Sequence, residues 1–208
     1  MGKTRIRAIV LDYGGVLSKP QNPDNVNNML QILSQDDNEF SKAYLSNRGN
    51  YDNGQLSGVE YWHGIIQHFG LEPNDSQVTN LIREDIKSWT QINDPMIRFI
   101  KESRGKVHKL AIISNMTIDT LAFMKKHFQW LELFDELIYS CEIGKNKPDQ
   151  RIYEACLSRL EIPPRECLFV DDLLENVHGA MQSGMAVIHF KSFFQFRQKL
   201  DKNFYLCQ

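Results

Sequence analysis

The sequence of 208 residues has few cysteines, no tract of basic residues and no apolar run long enough to cross a membrane. None of the four cysteines belongs to a CxxC pair, which excludes the usual dithiol redox and thiolate zinc motifs. The net charge of −2, with both signs mixed along the chain, excludes the basic footprint of a nucleic-acid-binding protein. The first residues also lack the apolar segment of a signal peptide. We therefore expect reduced thiols, a cytoplasmic location, and neither a nucleic-acid nor a membrane partner.

Short apolar runs alternate with helical patterns along most of the chain. Hydrophobic residues make up 42% of the sequence and charged residues 24%, which is the composition of a globular protein with a core. Strands are predicted at 6–12, 109–113, 136–140, 167–171 and 186–190. Helices are predicted between them, near 118–127, 149–160 and 174–183. This alternation predicts an α/β fold with a Rossmann-like parallel sheet as its core.

A helical insert, residues 18–93, follows the first predicted strand and divides the core into residues 1–17 and 94–208. Apolar residues recur in the insert at helical spacing, and a loop is predicted from Asn47 to Gly54. Its aromatic residues mostly share that spacing and are expected to pack inside the insert. They are Tyr44, Tyr51, Tyr61, Trp62, Phe69 and Trp89.

Acidic residues follow two of the predicted buried strands. Asp12 comes directly after Ile9–Leu11 and precedes a turn with two glycines, and Asp171 and Asp172 close the apolar run that begins at Cys167. Ligands of open α/β sheets bind outside the carboxyl ends of the strands, so we expect these strands and the one at 109–113 to be neighbours. Carboxylate oxygens are the ligands that Mg²⁺ prefers. The sequence therefore predicts a magnesium site at this edge of the sheet.

Two further polar clusters are predicted at the same edge. Ser114 and Asn115 follow the second strand, and Lys147 precedes Pro148 and Asp149 at the start of a helix. A transferring phosphoryl group needs cations and hydrogen-bond donors around its oxygens, and a carboxylate can attack it to form an aspartyl-phosphate. Each cluster alone is also typical of a helix start. Together with the acids, in this order, they favour a phosphoryl-transfer site.

These clusters resemble, in order and spacing, the haloacid dehalogenase superfamily of hydrolases, most of whose members are magnesium-dependent phosphatases. The resemblance covers essentially the whole chain. The matching segments are Ile9–Val16, Ile112–Asn115, Gly144–Asp149 with Ile152 and Tyr153, and Phe169–Asp172 with Asn176 and Gly184. The insert resembles the small helical cap of the first subclass. Gly54–Ser57 with Tyr61 and Trp62 is similar to a cap sequence of sugar-phosphatase-like and epoxide-hydrolase-amino-domain-like members.

The resemblance implies a metal role for four residues. Asp12 is expected to bind Mg²⁺, and so is the backbone carbonyl of Gly14, a role that needs no side chain. Asp172 is expected to coordinate the ion directly. Asp171 is expected to act through a water molecule.

The resemblance also implies how a phosphate group is held and attacked. Asp12 is expected to be the nucleophile. Ser114 and Asn115 are expected to bind the transferring phosphoryl group. Lys147 is expected to neutralise both Asp12 and the phosphate.

Gly14 departs from the pattern of the superfamily. Most of its phosphatases carry a second aspartate two residues after the nucleophile, which protonates the leaving group and then activates water. General acid–base help of this kind is typically worth about 10²–10⁴-fold in rate. The expected activity of this chain therefore depends on what compensates for Gly14.

Three hypotheses follow from this departure. An active phosphatase can act on good leaving groups, such as those of an anomeric sugar phosphate or an acyl phosphate. The insert can instead supply the acid, with Asp52, Glu60, His63 and His68 as candidates. A third hypothesis is a catalytically weak or inactive relative that binds phosphate and Mg²⁺.

A haloacid dehalogenase is the other enzyme that would use Asp12 as its nucleophile. It would attack carbon without a metal, and a metal-free site for an anionic substrate gains nothing from Asp171 and Asp172. The sequence therefore favours a magnesium-dependent phosphatase acting on a small phosphorylated metabolite, with a sugar phosphate as one candidate. It leaves the oligomeric state open.

Overall fold

The computed structural model describes residues 2–208 and has a five-stranded parallel sheet at its centre. Within these residues the strands are β1 (Thr4–Ile6), β2 (Ala8–Leu11), β3 (Lys109–Ser114), β4 (Glu136–Tyr139), β5 (Cys167–Asp171), β6 (Ala186–His189) and β7 (Phe204–Leu206). The central sheet has the order β4-β3-β2-β5-β6. The predicted α/β class and parallel sheet are confirmed, and β2 lies between β3 and β5 as expected.

Eleven helices surround the sheet or form the insert in the described part of the chain. Those of the insert are α1 (Pro23–Leu33), α2 (Asp37–Ser46), α3 (Arg48–Asp52), α4 (Gly58–His68) and α5 (Asp75–Ser88). Those of the core are α6 (Asp94–Ser103), α7 (Ile118–His127), α8 (Ser140–Ile143), α9 (Gln150–Leu160), α10 (Leu174–Gln182) and α11 (Phe193–Asn203). Among these residues, none of the helices has both the length and the apolar character needed to cross a membrane.

The central strand is buried on both faces, which explains why its sequence is a continuous apolar run. Ile9 and Leu11 face one hydrophobic cluster, to which α6, α7 and α11 contribute. Ala8 and Val10 face a second cluster, which includes residues of α9 and α10. Helices on both faces are what a parallel sheet requires. The strand is thereby held rigidly where it delivers Asp12.

The insert has a hydrophobic cluster of its own, with Trp62 and Tyr61 among its largest buried side chains. The chain leaves the core and returns to it at one place, where Ser18 and Ile92 form an antiparallel bridge. The backbone N–H of Lys19 donates to the carbonyl of Gln91 at 2.7 Å, which strengthens this crossing. The helices α1–α5 are therefore connected to the core through two adjacent segments of chain.

The predicted loop from Asn47 to Gly54 is wrong, because residues 48–52 form α3. Asparagines and a glycine surround this segment, which is why its sequence is typical of a loop. The helix forms because Tyr51 is fully buried and its hydroxyl donates to Asp119 of α7 at 2.8 Å. Ser140 Oγ, in α8, also donates to the carbonyl of Asp52 at 2.5 Å. Tertiary contacts with the core thus decide a local structure that the sequence pattern does not predict.

Candidate active site

Four charged side chains meet at the carboxyl ends of β2 and β5, and we call them the acidic floor: Asp12, Lys147, Asp171 and Asp172. Asp12 follows β2 directly, and its backbone N–H donates to the carbonyl of Val170 in β5 at 2.9 Å. One oxygen from each of the three carboxylates lies within 4.8 Å of the other two. The acids expected to meet at this edge of the sheet therefore do so.

Lys147 lies among the carboxylates as a buried cation. Its Nζ is 2.8 Å from Asp12 Oδ1 and 2.6 Å from Asp171 Oδ2, and only 1% of its side chain is exposed. A buried charge is tolerated only when it is paired and hydrogen-bonded, and both conditions hold here. Lys147 therefore fixes the position of the Asp12 carboxylate.

The carboxylate of Asp171 is occupied entirely by contacts within the chain. Besides Lys147, it accepts hydrogen bonds from the Leu173 backbone N–H at 2.8 Å and from Asn176 Nδ2 at 3.1 and 3.2 Å. It is also fully buried and does not line the cavity described below. This geometry suits a residue that orients Lys147 better than one that touches an ion directly.

Ser114 and Asn115 both line the cavity, but the two side chains differ in what they contact. Ser114 Oγ donates only to the adjacent Asn115 carbonyl, at 3.3 Å. Both polar atoms of the Asn115 side chain face the backbone of Lys147: Oδ1 accepts from its N–H at 2.7 Å, and Nδ2 donates to its carbonyl at 3.0 Å. Nδ2 keeps a second N–H that these bonds do not use, so the Asn115 side chain supports the Lys147 backbone and still has a donor for a phosphate oxygen.

Gly15 has a role that sequence reasoning missed. Its φ is +69°, in the left-handed region that favours glycine, and a Cβ atom added there would collide with the carboxylate of Asp172. The absence of a side chain at Gly15 thus leaves room for the carboxylate of Asp172, which follows β5. The double glycine was the available signal: it predicts a close approach of the backbone to a ligand, but not the space that Asp172 needs.

Gly14, by contrast, has an ordinary backbone conformation, with φ −62° and ψ 130°. A Cβ atom added there would lie 3.5 Å from the indole ring of Trp89, an ordinary contact distance. The indole would therefore be in van der Waals contact with a side chain at position 14. The prediction that Trp89 packs inside the insert is wrong: it packs against the core cluster that contains Leu11, and it lines the cavity.

Burial and neighbouring charges shift the pKa values of Asp12 and Lys147 in the acidic floor. Burial raises the pKa of Asp12 to about 7; the ammonium group of Lys147 opposes this rise, and the charges of Asp171 and Asp172 add to it. Burial also lowers the pKa of Lys147, but its ion pairs with Asp12 and Asp171 outweigh burial and raise it. Lys147 is thus charged, and burial is the main reason that the pKa of Asp12 is raised in spite of this cation.

The donor set of the floor fits a hard divalent cation. Two cavity-lining carboxylates, Asp12 and Asp172, offer the oxygen ligands that Mg²⁺ prefers, and an ion needs few more from the protein. A cation among these groups would also favour the ionised form of Asp12. Cysteine and histidine ligands, which would favour zinc, are absent from this cluster of the described residues.

A cavity of about 440 Å³ lies between the acidic floor and the insert. We call its apolar lining the apolar wall; its members are Val26, Phe40, Leu45, Trp89, Met116 and Leu173. They come from α1, α2, the end of α5 and the loops that follow β3 and β5. The insert also lines the cavity with polar side chains, which are Gln21, Ser41, Tyr44, Arg48 and Asp52.

Of the four acid–base candidates in the insert, only Asp52 lines this cavity. Its Oδ1 accepts from Arg48 Nε at 2.9 Å, and burial raises its pKa, which Arg48 opposes. Glu60 instead caps α4 by accepting from the Ser57 backbone N–H at 2.8 Å, which lowers its pKa. His63 and His68 are not among the lining residues.

Comparison with known proteins agrees with this geometry. A family model described as haloacid dehalogenase-like hydrolase matches residues 6–184. A sesquiterpene phosphatase of Aspergillus oryzae is 27% identical over 145 residues, which cover 67% of this chain and 69% of that protein. Bifunctional epoxide hydrolase 2 of Sus scrofa is 34% identical over 102 residues, which cover 47% of this chain but only 18% of that protein.

Solved structures share the fold. A haloacid dehalogenase family enzyme of Bacteroides thetaiotaomicron has a TM-score of 0.77 at 21% identity, covering 90% of this chain and 94% of that one. The same enzyme has also been solved with magnesium and inorganic phosphate, with a TM-score of 0.73. At this identity the likeness establishes the architecture.

Proposed function

The chain belongs to the haloacid dehalogenase-like hydrolases, and on that premise we propose that it is a magnesium-dependent phosphatase of a small phosphorylated metabolite. The observation that carries the proposal is the Asp12 carboxylate, which lines the cavity and is held 2.8 Å from Lys147 Nζ. A nucleophile, a fixed cation and a second cavity-lining acid, Asp172, are what phosphoryl transfer through a carboxylate needs. The phosphatase activity named for the Aspergillus oryzae relative supports the same reaction.

In the proposed reaction, an oxygen of Asp12 attacks phosphorus while the bond to the leaving oxygen breaks. The enzyme then carries an aspartyl-phosphate, which water hydrolyses to release inorganic phosphate and free Asp12. Lys147 holds the attacking carboxylate and offsets the charge of the phosphoryl oxygens, while the Ser114 hydroxyl, beside them in the cavity, donates a hydrogen bond.

Asp12, Asp172 and the Gly14 carbonyl are the groups that would hold Mg²⁺. When bound, the ion supplies positive charge that neutralises the phosphate and keeps Asp12 ionised. Asp171 and Asn115 act on this site through Lys147, whose ammonium group and backbone they hold, respectively.

A cytoplasmic location remains part of the proposal. Its support is that all four cysteines are free thiols, two of them, Cys156 and Cys167, buried. We propose no nucleic-acid and no membrane partner.

Phosphate release from acetyl phosphate tests the proposal. This substrate is small and its leaving group needs no protonation, so it depends least on the shape of the cavity and on an acid. We expect release that requires both Mg²⁺ and Asp12, measured beside Asp12→Asn. Mg²⁺ binding without any release would instead favour a binding protein, and release without Mg²⁺ would contradict the proposed metal role.

A further inference from the structure

We propose that the substrate of this site is an aryl phosphate, the phosphate ester of a small aromatic alcohol with one or two rings. The inference rests on the proposed phosphatase activity and narrows its substrate class. Two independent observations support it: the chemistry of the apolar wall, and the group that stands beside Gly14.

The apolar wall is unsuited to a sugar. A sugar presents several hydroxyls that each need a hydrogen-bond partner when buried, whereas the wall consists of six apolar side chains. The polar side chains that line the cavity away from the floor mostly have partners within the chain: Gln21 donates to Tyr44 and Ser88, Ser41 to Asp37, and Thr117 to Thr120. Tyr44 donates to Asp85 at 2.6 Å, and Arg48 bonds to Asp85, Asp52 and Tyr44.

The aromatic members of the wall suit a flat ring. Trp89 and Phe40 line the cavity together with the ring of Tyr44. Aromatic pairs in stacked or edge-to-face contact gain about 0.5–1.5 kcal/mol beyond the area that they bury. A volume of about 440 Å³ lies in the usual range for small-molecule sites and leaves room for more than a single ring.

The surroundings of Gly14 indicate a leaving group that departs without help. Gly14 offers no acid, and the nearest atoms to a Cβ placed there belong to the apolar indole of Trp89, at 3.5 Å. A phenol has a pKa of about 10, as in tyrosine, whereas an aliphatic alcohol lies nearer the value of about 15.7 for water. An aryl oxygen therefore leaves readily as the anion.

The proposed reaction needs no acid from the enzyme. The Asp12 oxygen forms a bond to phosphorus, and the bond between phosphorus and the aryl oxygen breaks. The phenolate leaves with that electron pair and takes a proton from solvent. Water then hydrolyses the aspartyl-phosphate.

A matched series of substrates tests the inference. The series is acetyl phosphate, phenyl phosphate, 2-naphthyl phosphate, cyclohexyl phosphate and glucose 1-phosphate. Phenyl and cyclohexyl phosphate are similar in size and polarity but differ in leaving-group pKa. We expect kcat/KM to favour phenyl over cyclohexyl phosphate by at least about 10²-fold, the low end of what acid catalysis supplies. We also expect 2-naphthyl phosphate to exceed phenyl phosphate.

Variants of exposed residues test the wall itself. Leu45 lines the cavity mouth and is 68% exposed, so Leu45→Gln is expected to fold. The ratio of kcat/KM for 2-naphthyl phosphate to that for acetyl phosphate should fall by roughly 3–10-fold, because apolar contact is lost. Val59→Gln is the matched control, since Val59 is 49% exposed and lies outside the cavity lining. It should leave the ratio unchanged.

The outcomes separate the two proposals. If no phosphate is released from any substrate of the series, acetyl phosphate included, the proposed phosphatase activity is overturned. Asp12-dependent release from acetyl phosphate, with glucose 1-phosphate preferred over both aryl esters, overturns only the aryl inference.

Two further experiments test whether the insert supplies an acid and whether the aryl ester belongs to a larger molecule. Equal rates on phenyl and cyclohexyl phosphate, with the cyclohexyl rate lost in Asp52→Asn, would show that the insert supplies an acid and would overturn the inference. A phosphotyrosine peptide presents the same aryl ester on a larger molecule. Its preference over 2-naphthyl phosphate would overturn the assignment to a small substrate.

Discussion

At the carboxyl edge of the sheet, three carboxylates lie close together around one ammonium group, whereas the insert lines the same cavity with apolar side chains and with polar ones that mostly bond within the chain. The acidic floor stands on β2 and β5, which are buried on both faces. The apolar wall stands largely on α1, α2 and Trp89, in an insert that joins the core at one crossing. Under the proposed function, the buried strands hold the reacting groups and the helical insert selects the leaving group.

The largest expected effect comes from removing the nucleophile on the floor. Asp12→Asn should lower phosphate release by at least about 10⁴-fold, as losses of catalytic nucleophiles do. The fold should persist, because Lys147 keeps its ion pair with Asp171 at 2.6 Å. Phosphate release and thermal unfolding together check this, and a folded variant that retains turnover would exclude Asp12 as the nucleophile.

The next effect comes from removing the cation of the floor. Lys147→Met leaves buried carboxylates unpaired, so unfolding free energy should fall by about 3–5 kcal/mol at neutral pH. Without Lys147 the buried carboxylates have folded pKa values above the unfolded value of about 3.9, so the penalty should be absent near pH 4 and should grow as the pH rises through neutrality.

Urea unfolding at pH 5 and pH 8 measures this penalty, with Lys126→Met on the exposed surface as the control. A loss of stability that is equal at both pH values would contradict the electrostatic account of Lys147.

Gly14→Asp tests whether the missing acid limits the hydrolysis of esters with poor leaving groups. Gly14→Asp keeps an allowed backbone conformation and places its Cβ at ordinary contact distance from Trp89. Hydrolysis of cyclohexyl phosphate should then rise by up to about 10²-fold, while phenyl phosphate gains less because its leaving group needs no proton. Equal gains on both esters in a folded variant would refute the role assigned to Gly14.

The fold and the floor were largely predictable from the sequence, whereas the wall was not. Asp12 and Asp171 are marked by the buried strands that precede them, and strand burial on both faces makes a continuous apolar run. Trp89 lies beside Gly14 only because the insert returns to the core there, with the Tyr13 hydroxyl donating to the Trp89 carbonyl at 2.6 Å across 76 positions. No local pattern reports such a contact.

The structure of α3 and the contacts of Asn115 also depend on tertiary contacts that no local sequence pattern predicts. The helix depends on burial of Tyr51 and its bond to Asp119, both of which are tertiary. The motif around Asn115 indicated an amide near phosphate, but only the three-dimensional structure shows both of its polar atoms on the backbone of Lys147.

A smaller effect is expected at the turn that joins strand and floor. Gly15→Ala should cost about 1–2 kcal/mol from the left-handed backbone alone, and the displaced Asp172 should weaken Mg²⁺ binding. Gly14→Ala is the matched comparison, since its Cβ fits, and it should lose less on both counts. Calorimetric titration with Mg²⁺ and thermal unfolding measure the difference; equal losses would remove the role given to Gly15.

The smallest effect is a pH dependence of Mg²⁺ binding. Because the pKa of Asp12 is raised to about 7, protons compete with the ion below that pH. Affinity should rise by roughly tenfold between pH 6 and pH 8. The Asp12→Asn variant should show a flatter dependence over this range, and an identical slope in both proteins would assign the titration to another group.

Under the proposed function, Asp12 becomes phosphorylated during turnover, and mass spectrometry tests this directly. Without an acid–base residue at Gly14 to activate water, the aspartyl-phosphate should accumulate while acetyl phosphate is hydrolysed. After acid quenching, we expect the peptide that contains Asp12 to carry the mass of one phosphoryl group, only with Mg²⁺ and not in Asp12→Asn. An unmodified peptide during steady phosphate release would contradict the account.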